Sequence, residues 1–262
     1  MSIQQPELDH VVLLLPYADL ASPPTWLTDN FTLSPGGAHA DGRTENRLVL
    51  FADGTYLEVI AFVNDDPTKR KGHWWDKPFG FVDYAFTTAK DFEYDALCQR
   101  LEGSGSGVSY DRPHRGGRTR PDGVEMKWDV TFPAGVERGV VPFWCHDVTP
   151  RHLRVPLDEA STTHPCGASG MAGVRAEMAE DGVERVGKAL EAITGLKGIQ
   201  GKDERRFEVG VPVGESKPSV RLVSGIGKGD LELSLVVRTD KEGLQDVKEK
   251  IFNGTVSILF EK

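Results

Sequence analysis

A chain of 262 residues, 39% of them hydrophobic, is long enough for one large domain or two small ones, with ample apolar content for a core. Its 31 Lys and Arg stand against 40 Asp and Glu, and the net charge of −9 argues against nucleic acid and anionic membranes as partners. Cys98, Cys145 and Cys166 are odd in number and lack CxxC spacing, which argues against a disulfide framework or structural zinc; no basic leader or run of ~20 apolar residues is present, so a reduced, cytoplasmic protein is expected.

Residues 8–15 read as an apolar strand interrupted by Asp9 and His10 and closed by Pro16. A short helix is expected over residues 23–30, with Ser22 as N-cap and proline in the first turn. The polar, glycine-broken stretch 36–47 then feeds a hairpin of residues 48–51 and 55–60. Its Asp53-Gly54 turn predicts type I′ geometry, with positive φ at both central positions. In the second strand Tyr56, Glu58 and Ile60 share one face and Leu57, Val59 and Ala61 the other. The aliphatic set is the natural core face. Glu58 then needs a cation, a metal or water opposite it, because a buried carboxylate without a partner is costly.

Further along, a charged connection at 65–71 leads to a strand at 81–86, a helix at 91–101 and a flexible breaker at 103–107. Arg112, Arg115, Arg118 and Arg120, with His114, make a basic segment whose Gly116 and Gly117 suggest a hairpin tip or mobile lid. A strand at 140–146 follows, then a helix at 183–193 ending at Gly195. Residues 81–103 and 231–254 both run strand, Thr and Lys, acidic helix, Gly, and related starts recur at about Leu8, Phe81, Val174 and Leu231. Repetition on this scale points to modular duplication, with the last copy truncated after 256–260. All seven histidines and all five tryptophans precede Gly170, so chemistry belongs to the first portion.

The words LDHVV at 8–12, GGAH at 36–39, Thr44 with Asn46, DGTYLE at 53–58, and His164-Pro165-Cys166-Gly167-Ala168 carry a resemblance. In this order they resemble the glyoxalase-like domain family of the vicinal-oxygen-chelate superfamily, with Cys166 where the family pattern has Asn. The resemblance implies an α+β fold of paired βαβββ modules forming a cupped mixed sheet around a small-molecule site, often with a divalent metal. On that reading residues 1–168 form a glyoxalase-like domain of two modules that carries the site. Residues 169–262 form a degenerate C-terminal module pair packed on it.

His10 and Glu58 are candidate metal ligands, competent for Zn, Fe, Mn or Ni. The alternative is a hydrogen-bonded core histidine and a Glu58 paired with an arginine such as Arg47. Superposing module starts puts Asp83 where His10 stands, and His146 is the candidate replacement for the carboxylate missing from the second module. His39 and His164 are candidate general acids or bases, with a suitable unperturbed pKa. Thr44 and Asn46 are either substrate contacts or parts of an Asx-type turn. Arg118 belongs either to a clamp for a substrate carboxylate or phosphate or to a solvated loop. Trp144, with Trp74, Trp75, Phe79, Trp128 and Phe143, is either part of an apolar mouth or core.

Two functions follow. The first is a metal-dependent enzyme acting on a small carbonyl or vicinal-oxygen compound by lyase, isomerase or ring-opening chemistry. The second is a metal-free module that binds or sequesters a small molecule. Either takes a small-molecule partner, and a homodimer is left open.

Overall fold

The computed structural model describes residues 5–120, 122–227 and 229–262. The first module runs through the strand Glu7–Leu14, helices Tyr17–Ala21 and Thr25–Thr28, and strands Ser34–Ala38, Thr44–Leu50 and Tyr56–Phe62. The second repeats the plan with strand Gly80–Thr87, helix Tyr94–Ser104, and strands His114–Thr119, Glu125–Thr131 and Phe143–Asp147. In both, the first strand pairs parallel with the last, and the last pairs antiparallel with the one before it. The two modules join through the antiparallel pair Glu7–Leu14 and Gly80–Thr87.

A third module has strand Ala168–Met178, helix Glu180–Thr194, and strands Glu204–Glu208 and Ser219–Ser224. Among the described residues the fourth keeps only strands Leu231–Thr239, Val247–Ile251 and Gly254–Glu261. Thr255 pairs with Gly80, so one 15-stranded mixed sheet runs through all four modules. The fold is α+β, a sheet of βαβββ units.

Several local expectations need correction. Residues 23–30 do not form one helix capped by Ser22. Pro23 and Pro24 drive the residues before them out of the helical region, so Ser22 ends the first short helix and Pro24 precedes the second. At the hairpin only Gly54 has positive φ, +78°, so the Asp53-Gly54 connection is not type I′. Phe51 N donates to Thr55 O instead, while the Asp53 carboxylate accepts from Thr55 N and from Arg238 far along the chain. The acidic helix expected after Leu231 is a turn and a strand. Val247 and Ile251 are buried while Lys248 and Lys250 are exposed, a period of two that fits a strand and not a helix. Gly116 and Gly117 lie within a strand and not at a hairpin tip.

Period-two alternation gives the first half two faces. Val11, Leu13, Leu57 and Val59 turn outward into the main core, under the helices, each fully buried. Side chains of this size contribute roughly 1.5–3 kcal/mol each on burial. Val12, Leu14, Ile60 and Phe62 turn inward with Trp75, Phe132 and Phe143. The outer edges of the two modules then meet: His39 bridges Arg118, and Ala40 N donates to Gly117 O at 3.2 Å. The first half is thereby rolled into a closed cup.

Candidate functional site

A cavity of about 380 Å³ occupies this cup. Its polar wall comes mainly from the first module, through His10, His39, Thr44, Asn46, Tyr56 and Glu58, with Arg118 and Arg154. Its apolar wall holds Trp74, Trp75, Trp128, Phe132 and Phe143.

The glycine-rich word explains how the polar wall is built. The register between Ser34–Ala38 and Thr44–Leu50 slips at Gly36. A Cβ there would stand 1.9 Å from Asn46 O, so only glycine allows this approach. Gly37 N then donates to Asn46 Oδ1 at 3.1 Å, and Arg118 Nη1 donates to the same oxygen at 2.7 Å. With its oxygen so occupied, Asn46 turns Nδ2 to Glu58 Oε1 at 2.6 Å. His39 packs beside it, Nε2 3.4 Å from Glu58 Oε1 and Nδ1 2.8 Å from Thr44 Oγ1. Burial opposes the charge on Glu58, but His39, His10 and Asn46 outweigh it and hold the pKa at about 2. Glu58 is therefore a carboxylate at neutral pH.

His10 is placed by a bulge. Leu8 pairs with Phe86 and His10 with Ala85, which leaves Asp9 as the extra residue. Asp9 Oδ2 lies 2.7 Å from His10 Nδ1. Burial would raise the pKa of Asp9, but Arg151 at 2.6 Å and Arg154 at 3.1 Å hold it well below the usual carboxylate range. An ionised Asp9 can only accept, so His10 carries a proton on Nδ1. His10 Nε2 then faces Glu58 Oε2 at 3.8 Å. Two acceptor atoms converge with no protein donor between them, and a metal ion, a proton or a donor group of a ligand satisfies both.

Carboxylate, imidazole and metal in series is a recurrent arrangement that fixes the tautomer of a ligating histidine. Asp9 and His10 have its first two members, and an N to O separation of 3.8 Å accommodates an ion at the usual ligand distances of about 2.0–2.2 Å. The donor atoms thus fit a divalent ion in kind. They are few, since among the described residues no group of three or more His, Cys, Asp or Glu side chains is arranged to hold a metal. Bound water or substrate oxygens would have to complete the shell.

Six candidates therefore line one cavity: His10, His39, Thr44, Asn46, Glu58 and Arg118. Four others do not. Asp83, fully buried, accepts from Trp75 Nε1 at 2.9 Å and Arg138 Nε at 2.8 Å, an ion pair beneath the tryptophan and not part of the lining. Cys145 takes the inward position on Phe143–Asp147, which turns Trp144 and His146 to the other face. There His146 stacks on Phe92, and burial depresses its pKa to about 4. His164 accepts from Thr32 N through Nδ1 and donates to Leu50 O through Nε2, so both ring nitrogens hold the loop to the first module. Arg47, on the opposite face from Asn46, reaches Ala21 O and does not meet Glu58.

The residues that sequence reasoning missed are those supporting the polar wall. Arg154 pairs with Asp147, also donates to Tyr56 Oη at 2.6 Å, and leaves the tyrosine ring stacked on His10 at 4.6 Å. Arg151 and Arg154 sit on one short helix, and that spacing after Asp147 is the only sequence signal they carry. His73 also lines the cavity; burial and then Arg43 push its pKa down to about 4. Gly116 has its own purpose, since a Cβ there would come within 2.6 Å of Trp128 Nε1.

A family model described as Glyoxalase-like domain matches residues 8–194. No curated protein matches the chain in sequence. Among solved structures, a hypothetical protein from Staphylococcus aureus is similar over 98% of this chain and 100% of its own, with 14% identity and a TM-score of 0.69. A mutant of 4-hydroxymandelate synthase from Streptomyces coelicolor covers 91% of this chain and 72% of its own, with 11% identity and a TM-score of 0.50. At such identities the likeness concerns the fold alone.

Proposed function

The chain belongs to the glyoxalase-like domain family, and from that premise we propose a metal-dependent enzyme acting on a small carbonyl or vicinal-oxygen compound. The observation that carries the reading is the convergence of His10 Nε2 and Glu58 Oε2, two acceptors 3.8 Å apart at the cavity wall. In this reading both ligate a divalent ion, which when bound polarises a substrate oxygen as a Lewis acid. Asp9 orients His10 through Nδ1, and Asn46 orients Glu58 through Oε1. His39 moves a proton at Nε2, with Thr44 fixing the ring from the other side. The aromatic wall excludes water from the reacting atoms.

The test is metal analysis of the full chain, stripped with chelator and reloaded with Zn, Fe, Mn or Ni in turn. Near-stoichiometric uptake of one ion is expected, lost in both His10→Ala and Glu58→Gln. Equal uptake by wild type and both variants, or none by wild type, refutes it. The metal-free binding reading is favoured by one observation: Val12 pairs with Glu58, its counterpart Ala85 pairs with Phe143, and so the second module offers an aromatic ring where the first has a carboxylate. We take residues 1–168 as the site-bearing unit and 169–262 as scaffold, in a cytoplasmic protein.

A further inference from the structure

Four cationic or anionic side chains apart from the histidines reach the interior of the cavity: Glu58, Arg115, Arg118 and Arg154, with the exposed Asp41 beside them. Three of the four have an opposite partner. Arg115 pairs with Asp129 at 2.6 Å, Arg154 with Asp147 and Asp9, and Glu58 with His39. Arg118 is different. Only 6% exposed, it has no carboxylate within ion-pair distance among the described residues. Its Nη1 donates to Asn46 Oδ1, its Nη2 meets only the Met126 sulfur at 3.9 Å, and its Nε has no partner at all.

The residue is held there by the closing seam of the cup. Arg118 bridges His39, and its stem passes over Gly37, where an added Cβ would stand 3.4 Å from Arg118 Cδ. Removing a guanidinium from water without supplying an anion costs several kcal/mol in a protein interior. Burial accordingly pushes its pKa down. Elsewhere in this protein buried arginines are compensated: Arg138 by Asp83, Arg154 by two aspartates. At Arg118 the nearest anion is Glu58, which attracts it across Asn46 without reaching ion-pair distance, and the cavity lies beside both.

We propose that the cavity's ligand is a small organic monocarboxylate, its carboxylate paired with Arg118 and its apolar body against Trp74, Trp128 and Phe132. Arg118 lines the cavity and its Nη2 has no oxygen partner, so a carboxylate there gains a charge-assisted hydrogen bond to the guanidinium. A phosphate dianion fits less well, because the second charge would lie near ionised Glu58 with no second uncompensated arginine or lysine in the lining. This inference rests on the cavity being the substrate site, and it names the substrate class independently of the cation.

Chelator-treated full-length protein is titrated with phenylacetate and 3-phenylpropionate, each against its neutral amide, by calorimetry and by fluorescence of the cavity tryptophans. At least one acid should bind wild type about tenfold or more tighter than its amide, the worth of one charge-assisted pair. Arg118→Gln should bring that ratio to about one, and Arg118→Lys should leave it in between, since lysine keeps the charge without the fork. If Arg118→Gln does not fold, the fall of the ratio in Arg118→Lys carries the test. Equal binding of acid and amide, no binding of either acid, or a ratio unchanged in the variants overturns the inference. Loss of acid preference with His10-dependent metal uptake intact sinks this inference alone; the converse sinks only the cation.

Discussion

Glu58 offers a direct measure of how strongly the polar wall is organised. Its pKa falls from 4.5 to about 2 on folding, against the opposing effect of burial. A group with a depressed native pKa contributes stability that is fully present above its unfolded pKa and is lost as pH falls through the folded one. At 1.36 kcal/mol per pKa unit, the ionised carboxylate contributes about 3 kcal/mol at pH 7 and about 1 at pH 3. Glu58→Gln mimics the protonated side chain and removes this dependence. Urea unfolding followed by tryptophan fluorescence should therefore show wild type more stable than the variant by about 3 kcal/mol at pH 7, the gap shrinking by more than half at pH 3. Other carboxylates titrate in both proteins and cancel in the difference. A gap that stays constant from pH 7 to pH 3 would refute the reasoning, because it would mean that Glu58 contributes by shape and not by charge.

Other perturbations test the supports of the site. Gly36→Ala places a Cβ 1.9 Å from a backbone oxygen, so the strand must move off Asn46; a loss of stability of roughly 2–4 kcal/mol in urea is expected, together with loss of metal uptake. Asp9→Asn leaves Arg151 and Arg154 short of an anion and should cost about 3–5 kcal/mol, with metal affinity down about 10–100-fold from the untethered His10. Asp83→Asn should cost a similar ~3–5 kcal/mol by stranding Arg138, while Asp83→Leu with Arg138→Met should recover most of it and leave metal uptake unchanged. Metal uptake lost in that recovered double variant would show that Asp83 is a ligand after all.

How much was readable beforehand follows from which forces are local. The alternation of Tyr56 to Ala61 placed Glu58 on the inner face, because pleat parity survives whatever the strand packs against. The helix ending at Gly195 was equally legible, its C-cap glycine at φ 70°. Side-chain parity after Pro142 was not, since the strand begins at Phe143 and thereby turns Cys145 inward and His146 outward. The place of His164 is hidden for a related reason. Its partners, Thr32 and Leu50, are more than a hundred residues away, and nothing near His164 in sequence announces them. The basic segment divided in a way only the cup could decide: Arg115 and Arg120 pair with aspartates at the surface, and Arg118 is buried at the seam, where it lines the cavity.

The register also explains why chemistry collects in one half of a duplicated cup. The pairs Val12 with Asp83 and His10 with Ala85 interchange under the relation between modules, and each strand carries its extra residue one position earlier, at Asp9 and Val82. Asp83 is thus the positional counterpart of His10, and Phe143 that of Glu58. In the first module the bulge residue is Asp9, an anion that draws Arg151 and Arg154 and fixes His10 toward the cavity. In the second it is Val82, which can orient nothing by hydrogen bonding. Asp83 is left to find its own partner and takes Arg138, whose guanidinium lies 3.9 Å from the Phe132 ring centre and 5.0 Å from that of Phe143. The same ion pair anchors Trp75 through its indole nitrogen. Three differences, at the bulge, at the His10 position and at the Glu58 position, thus give the second module an ion pair that supports an aromatic wall where the first module has a histidine and a carboxylate facing the cavity.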